Sequence, residues 1–306
     1  MKTNAAFYTL TGLLILLLSS DCSPQNTPDI KTKSGGTLTP TDTIPAATSS
    51  PPPGGTPTQS ARPAFTDEPD CLTLGGQVIA THIPSINMKS DFSFHVYLPP
   101  CYEEDTARRY PVLYLIHGQS FNDDQWVRLG APLAADKLIG DGMPPFIIVM
   151  PFDKYHYRQP AADPFDESVI EELIPYIDSA YRTIPERASR AVGGLSRGGG
   201  WALHFALNHP ELFGAFGGHS LAILDEDGRR ISRLLDALPV ENMPRILMDI
   251  GKSDGLRASV EKFEAQLTER GLPHEWYVYP GYHDEDYWAK HVEEYIKWYA
   301  SGWAGE

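Results

Sequence analysis

The sequence predicts an α/β fold, a mostly parallel sheet of about eight strands with helices on both faces. Three observations predict it. Short β-rich apolar runs alternate with segments of helical period from residue 112 onward. Several of those runs are apolar throughout, as strands buried on both faces must be. Two earlier runs are separated only by a polar turn, which joins antiparallel neighbours and precedes the alternation.

The elements follow in order. QVIATHI (77–83) and FSFHVYL (92–98) are the first two strands, joined through PSINMKSD. VLYLIH (112–117) and FIIVMP (146–151) are continuous apolar strands, with the helix APLAADKLIG (131–140) between them. ESVIEELIPYIDSAYRT (167–183) carries Val169, Leu173, Ile177 and Tyr181 at helical spacing, with Pro175 as a local irregularity. RAVGGL (190–195) is the fifth strand, and the helix GGWALHFALNHP (199–210) ends at its proline. GAFGGH (214–219), RILMDI (245–250) and EWYVY (275–279) complete the strands. The helices ASVEKFEAQLTERG (258–271) and YWAKHVEEYIKWYA (287–300) complete the chain. Only residues 220–244 stand where a cap over such a sheet would insert, which argues against a large lid.

The domain begins near residue 67. Residues 1–22 have the form of a targeting segment: Lys2, the apolar run TLTGLLILLL (9–18), then LLSSDC (17–22). The last resembles a bacterial lipobox with Cys22 as the lipidated residue, although Asp21 stands where a small residue is expected. Lipoprotein, cleaved secreted protein and uncleaved anchor all remain open, and each places the body outside the cytoplasm. Residues 23–66 are rich in Thr, Pro, Ser and Gly, too apolar-poor to offset their ordering entropy, and are expected to form a disordered linker. Residues 67–306 form the catalytic domain. Within it lie only Cys71 and Cys101, and export favours one disulfide between them.

With 25 basic and 40 acidic residues the net charge is −15, which argues against nucleic acid and against a polybasic membrane patch.

The chemistry concentrates at the carboxyl ends of the strands, where open α/β sheets build their sites. GGLSRGGG (193–200) holds Ser196 between Gly194 and Gly198, in the G-x-S-x-G pattern of a strand-to-helix turn that exposes a nucleophile. A phosphate cradle would need a lysine after the glycines or G-x-G-x-x-G, and neither is present. Gly193, Gly199 and Gly200 are assigned to close helix–sheet packing. A serine needs a base and an orienting acid, here expected in the order Ser, acid, His. Asp254 lies on the loop after the seventh strand and is favoured over Asp249, which lies within that strand and points toward a helix. His283 lies on the loop after the eighth strand, while His274 precedes it and His291 is inside the last helix. The oxyanion donors are expected to be the Arg197 and Gln119 N–H groups, and His117 is a packing residue at a strand end. Trp126, Tyr155, Tyr157 and Arg158 are candidate substrate contacts on loops facing the same edge. His283, Asp284, Glu285, Asp286 and His291 lack a recognised ligand spacing, so neither metal nor cofactor is expected. DEDG (225–228) is too short for a calcium loop and is expected to be a turn.

Six stretches together resemble the esterase D-like family of α/β hydrolases. They are VYLPPCY (96–102), YPVLYLIHG (110–118), ELIPYIDSAYR (172–182), GLSRGG (194–199), HPELFGAFGGHS (209–220) and PGYHDEDYW (280–288). That family includes feruloyl and acetyl-xylan esterases, enterochelin esterases and mycolyltransferases. The resemblance implies the α/β-hydrolase fold, Ser196 as nucleophile, His283 as base, Asp254 as acid, and the Gln119 and Arg197 amides as oxyanion donors. It implies a small-molecule or polysaccharide-linked ester as substrate, such as a feruloyl, acetyl-sugar or siderophore ester. Acyl transfer to an alcohol, or a binding role without catalysis, are the alternatives.

Overall fold

The structure, a computed structural model, describes residues 70–304. The targeting segment, Cys22 and the Thr/Pro/Ser-rich linker lie outside the described residues. Eight strands form one sheet in the order β1-β2-β4-β3-β5-β6-β7-β8. They are β1 (Gln77–Ser85), β2 (Ser90–Leu98), β3 (Val112–Ile116), β4 (Ile147–Pro151), β5 (Arg190–Leu195), β6 (Ala215–His219), β7 (Arg245–Gly251) and β8 (Glu275–Tyr279). β1 pairs with β2 and β2 with β4 in antiparallel register, and every other pairing is parallel.

The helices, in chain order, are α1 (Cys71–Leu74), α2 (Gln125–Arg128), α3 (Ala131–Gly140), α4 (Phe165–Glu167), α5 (Ile174–Ala180), α6 (Arg197–Asn208), α7 (Asp225–Gly228), α8 (Ile231–Ala237), α9 (Arg257–Glu269) and α10 (Glu285–Ser301). Between α4 and α5 the helix widens into a π-type segment, Ser168–Leu173, just ahead of Pro175. A proline has no N–H to give to the preceding turn, so the ladder must shift there. Residues 220–244 carry two short helices, α7 and α8, and no large lid. DEDG closes the single turn of α7 rather than an open loop.

Alternation along the strands divides the core into two. Val112, Tyr114, Ile116, Ile147 and Val149 pack on the face of α5, α6, α8 and α9. Leu113, Leu115, Ile148 and Met150 pack on the face of α3 and α10. This period-two partition buries both faces of the central strands and leaves their carboxyl ends to form the site. α10 comes so close to the sheet that a Cβ on Gly193 or on Gly217 would meet the Tyr299 hydroxyl. That accounts for Gly193; Gly199 and Gly200 instead press against Leu221 and the Ala222 carbonyl, on the segment after β6.

Two contacts fasten the periphery. Cys71 and Cys101 are disulfide-bonded across a sequence separation of 30, closing the β1–β2 hairpin against α1. On α6, the buried His204 lies 2.8 Å from Asp227 of α7 and 3.7 Å from Asp166 of α4. Burial opposes its charge, yet the hydrogen bonds to Asp166 and Asp227 prevail and its pKa is pushed up to about 9.

Removing the disulfide, by Cys101→Ala or by reductant, is expected to lower unfolding free energy by about 3–4 kcal/mol in the chain-entropy account, read by urea denaturation. The His204 contribution is fully present below its ordinary pKa of 6.5 and is lost as pH rises through about 9, because the folded state holds the proton that the unfolded chain releases. His204→Gln is expected to flatten the fall in denaturation midpoint across that window.

Candidate active site

The site begins with the backbone of Ser196. Its φ is +54° with ψ −123°, a conformation that L-residues rarely adopt and that costs on the order of 1–3 kcal/mol. The surroundings hold it there. The Ser196 N–H donates to His219 O at 2.9 Å, and Ser196 O accepts from Ala222 N at 2.9 Å and Gly200 N at 3.1 Å. The turn is tight enough that a Cβ on Gly194 would sit 2.3 Å from Gly198 C, and one on Gly198 would sit 2.1 Å from Ile116 O. No side chain fits at either position, so the two flanking glycines follow from the turn itself.

Asp254 and His283 arrive on adjacent loops. Lys252 N donates to Tyr279 O at 2.7 Å and Ser253 N to Gly281 O at 2.9 Å, tying the loop after β7 to the loop after β8. Asp254 Oδ2 then lies 2.8 Å from His283 Nδ1, and His283 Nε2 lies 2.8 Å from Ser196 Oγ. A carboxylate at Nδ1 assigns the imidazole proton to that nitrogen, leaving Nε2 to accept from the serine hydroxyl. Burial works against ionisation of Asp254, but the hydrogen bonds from His283 and from the Leu256 N–H outweigh it, and its carboxyl is held below the ordinary range. The His283 ring stands edge-on to Trp288 at 5.1 Å, and its side chain is 31 % exposed. The site is therefore open to water.

The loop after β3 is pinned at Gly118. Its N–H donates to Gln125 Oε1 at 2.8 Å, and its carbonyl accepts from His117 Nδ1 at 2.7 Å and Phe121 N at 3.1 Å. In a trans peptide the C=O and the following N–H point in opposite directions, so fixing the Gly118 carbonyl fixes the aim of the Gln119 N–H. Among the described residues that N–H donates to no protein acceptor. The Arg197 N–H, first in α6, is likewise outside the helical ladder.

The structure brings together most of the residues expected from the sequence and moves others away. Asp249 is buried inside β7, with its carboxylate bonded to His219, Tyr287 and Tyr295 at 2.5–2.7 Å. It faces α10, as its strand position implied. Tyr155 and Arg158 line a cavity of about 630 Å³ together with Asn87, Lys89, Asp163 and Glu167, and the Arg158 guanidinium lies 4.1 Å from the Tyr155 ring centroid. Tyr157 is 67 % exposed and does not line it. Trp126 corrects the expectation of a substrate contact. It is 1 % exposed, its indole N–H donates to Ile116 O at 3.0 Å, and it packs against His219. The helical turn α2 directs the ring into the core, which the polar flanks of FNDDQW concealed. The acids near His283 have separate partners: Asp284 caps α10 by accepting from Tyr287 N at 2.9 Å, and Glu285 accepts from Gln125 and Arg128.

Sequence reasoning missed Asp153, Asp163, Gln125 and Trp288. The first two flank the Arg197 side chain, and only tertiary structure joins them; no spacing signal marks them. Gln125 had a local signal, an amide seven residues beyond Gly118.

Comparisons with known proteins bear on the family and the fold. A sequence of Xylanibacter ruminicola named endo-1,4-beta-xylanase/feruloyl esterase is 33 % identical over 199 residues, which are 60 % of this chain and 27 % of that protein. An esterase of Mycobacterium tuberculosis is 29 % identical over 244 residues, covering 62 % of this chain and 52 % of that protein. The chain thus spans about a quarter to a half of the length of these relatives. A solved ferulic acid esterase superposes with a TM-score of 0.68 at 24 % identity, over 74 % of this chain and 99 % of that one, which shows a shared fold. The sequence profile of the family described as "Putative esterase" matches residues 85–299, and the chain belongs to that family.

Proposed function

We propose that the chain is an exported serine hydrolase of carboxylic esters, working through an acyl-enzyme on Ser196. The observation that carries this reading is the pair of 2.8 Å contacts from His283, one to Ser196 Oγ and one to Asp254, made on a serine held at positive φ. Ser196 Oγ attacks the ester carbonyl while its proton passes to His283 Nε2. The Gln119 and Arg197 N–H groups receive the carbonyl oxygen as it gains charge. The tetrahedral intermediate collapses, the C–O bond to the alcohol breaks, and the alcohol leaves with the proton from His283. Water then attacks the acyl-enzyme, gives its proton to His283, and releases the acid as the proton returns to Ser196. Asp254 keeps the imidazole in the required tautomer and stabilises its protonated form.

The half-exposed Ser196 and the exposed edge of His283 admit water, which favours hydrolysis over transfer to another alcohol. The cavity lined by Tyr155 and Arg158 holds none of Ser196, His283 or Gln119 in its wall and is linked to the site through Asp163, which bonds the Arg197 side chain; an aromatic or sugar-bearing group seated there would extend beyond the reacting ester. Similarity to a relative named as a feruloyl esterase makes feruloyl esters of polysaccharides the leading substrate class. Export is supported by the apolar run 9–18 and by the disulfide. Residues 67–306 would then act as a catalytic domain tethered by residues 23–66, whether the leader is cleaved, kept as an anchor or replaced by a lipid on Cys22.

Ser196→Ala is expected to reduce hydrolysis of a 4-nitrophenyl ester by about 10⁴-fold or more while leaving the folding transition in place. In a panel of feruloyl, acetyl-sugar and siderophore esters the feruloyl member should give the highest kcat/KM. Full activity in Ser196→Ala would refute the mechanism, and a flat or reversed panel would refute the substrate class.

A further inference from the structure

Arg197 follows the nucleophile, yet its side chain is turned away from solvent and is only 7 % exposed. Its Nε donates to Asp153 Oδ2 at 2.8 Å and its Nη2 to Asp163 Oδ2 at 3.1 Å. Both carboxylates are essentially inaccessible, at 1 % and 0 % side-chain exposure. Trp201 Nε1 donates to the same Asp153 oxygen at 2.9 Å. The Asp153 N–H in turn donates to His117 Nε2 at 2.9 Å, and His117 Nδ1 donates to the Gly118 carbonyl at 2.7 Å. Both contacts of His117 are satisfied only by the neutral ring protonated on Nδ1. Burial, which lowers its pKa, maintains that form.

The contacts form one unbroken chain from Asp163 through Arg197, Asp153 and His117 to Gly118. It reaches both donor peptides: Arg197 carries one N–H itself, and the Gly118 carbonyl belongs to the peptide that carries the Gln119 N–H. Stability alone gives little reason to keep it. Desolvating three charged groups is costly, and apolar replacements of similar volume usually fold as well or better.

We propose that this buried chain is a positioning device for the oxyanion site. Arg197, clamped between Asp153 and Asp163, and His117, held by Asp153, together fix the aim of both N–H donors. The proposal rests on the reading of Ser196 as nucleophile. None of the four side chains needs to touch substrate; each acts through the peptide it restrains.

Asp163 gives the device a signature that a packing role lacks. Its carboxylate is buried beside the cavity that Tyr155 lines; Asp153, Arg197 and, from its own loop, Arg158 act on it, and Lys89 and Glu167 line the same cavity. Burial and the neighbouring Asp153 charge push its pKa up to about 7, against the Phe165 N–H and Arg197. Near neutral pH it changes from a neutral acid, which an asparagine mimics, to a carboxylate that pulls harder on the guanidinium.

The test measures kcat and KM per active site, with sites counted by fluorophosphonate titration and folding checked by thermal denaturation. Arg197→Met is expected to lower kcat by about 10- to 100-fold with KM within about twofold, because the donors matter most in the transition state. Asp163→Asn is expected to match wild-type kcat within about threefold at about pH 6 and to fall further behind by about pH 8.5. A folded Arg197→Met with wild-type kcat overturns the proposal, as does a wild-type to Asp163→Asn ratio that is the same at both pH values. If Arg197→Met does not fold, the Asp163→Asn ratio decides. A folded wild type that a fluorophosphonate does not label at Ser196 overturns the reading of Ser196 itself, and the positioning proposal with it.

Discussion

The strained backbone of Ser196 is the constraint on which the rest of the site depends. A residue at φ +54° relaxes unless its neighbours prevent it. The prevention comes from three sides: the β6 carbonyl of His219 on the serine N–H, the segment after β6 on the serine carbonyl, and the end of β3 against Gly198. Each contact requires a particular strand to end at a particular height. The parallel register Ile116↔Gly194 and Leu195↔His219 supplies those heights. The sheet order thus serves the turn, because β3, β5 and β6 must be neighbours for the strain to be held.

Behind the elbow lies a second polar cluster that has no access to solvent. His219 and Asp249 are 2.6 Å apart, His219 stacks on Tyr295 at 3.7 Å, and Tyr287 and Tyr295 donate to the remaining Asp249 oxygen. Burial and the Asp249 charge push both phenols well above their ordinary pKa, so they remain donors. The His219–Asp249 contact joins β6 to β7, the tyrosine contacts join those strands to α10, and α10 also places Trp288 against the His283 ring. Isolated buried charges would be destabilising, whereas this set is mutually satisfied and gives α10 one register on the sheet. The two faces therefore divide the work. α10 backs His283, while α6 and the 153–163 segment hold the Arg197 side of the site.

Much of this was legible in the sequence where chemistry and periodicity coincide. All eight strands lie within about two residues of the runs that predicted them, and the signal is strongest for β3 to β7, which are buried on both faces. Ser196, Asp254 and His283, singled out by chain order and strand-end position, lie in hydrogen-bonding contact. Helices without a strong stripe were harder: α8 was missed, and α2 hid Trp126, whose polar neighbours made it look like a surface residue. Long-range polar pairing was not legible at all. Asp153 and Asp163 lie 44 and 34 residues from Arg197, and neither loop has a period or motif to announce the pairing. His117 was rightly placed in the interior, but its two hydrogen bonds depend on Asp153 folding over it.

The central claim is that one serine, and only that serine, is activated by the His283–Asp254 pair. Incubating the protein with a fluorophosphonate and measuring intact mass, followed by peptide mapping, tests it most directly. One adduct per chain, on the peptide containing Ser196 and lost in His283→Ala, is the predicted result. An unlabelled protein, or an adduct at another residue, would contradict the account.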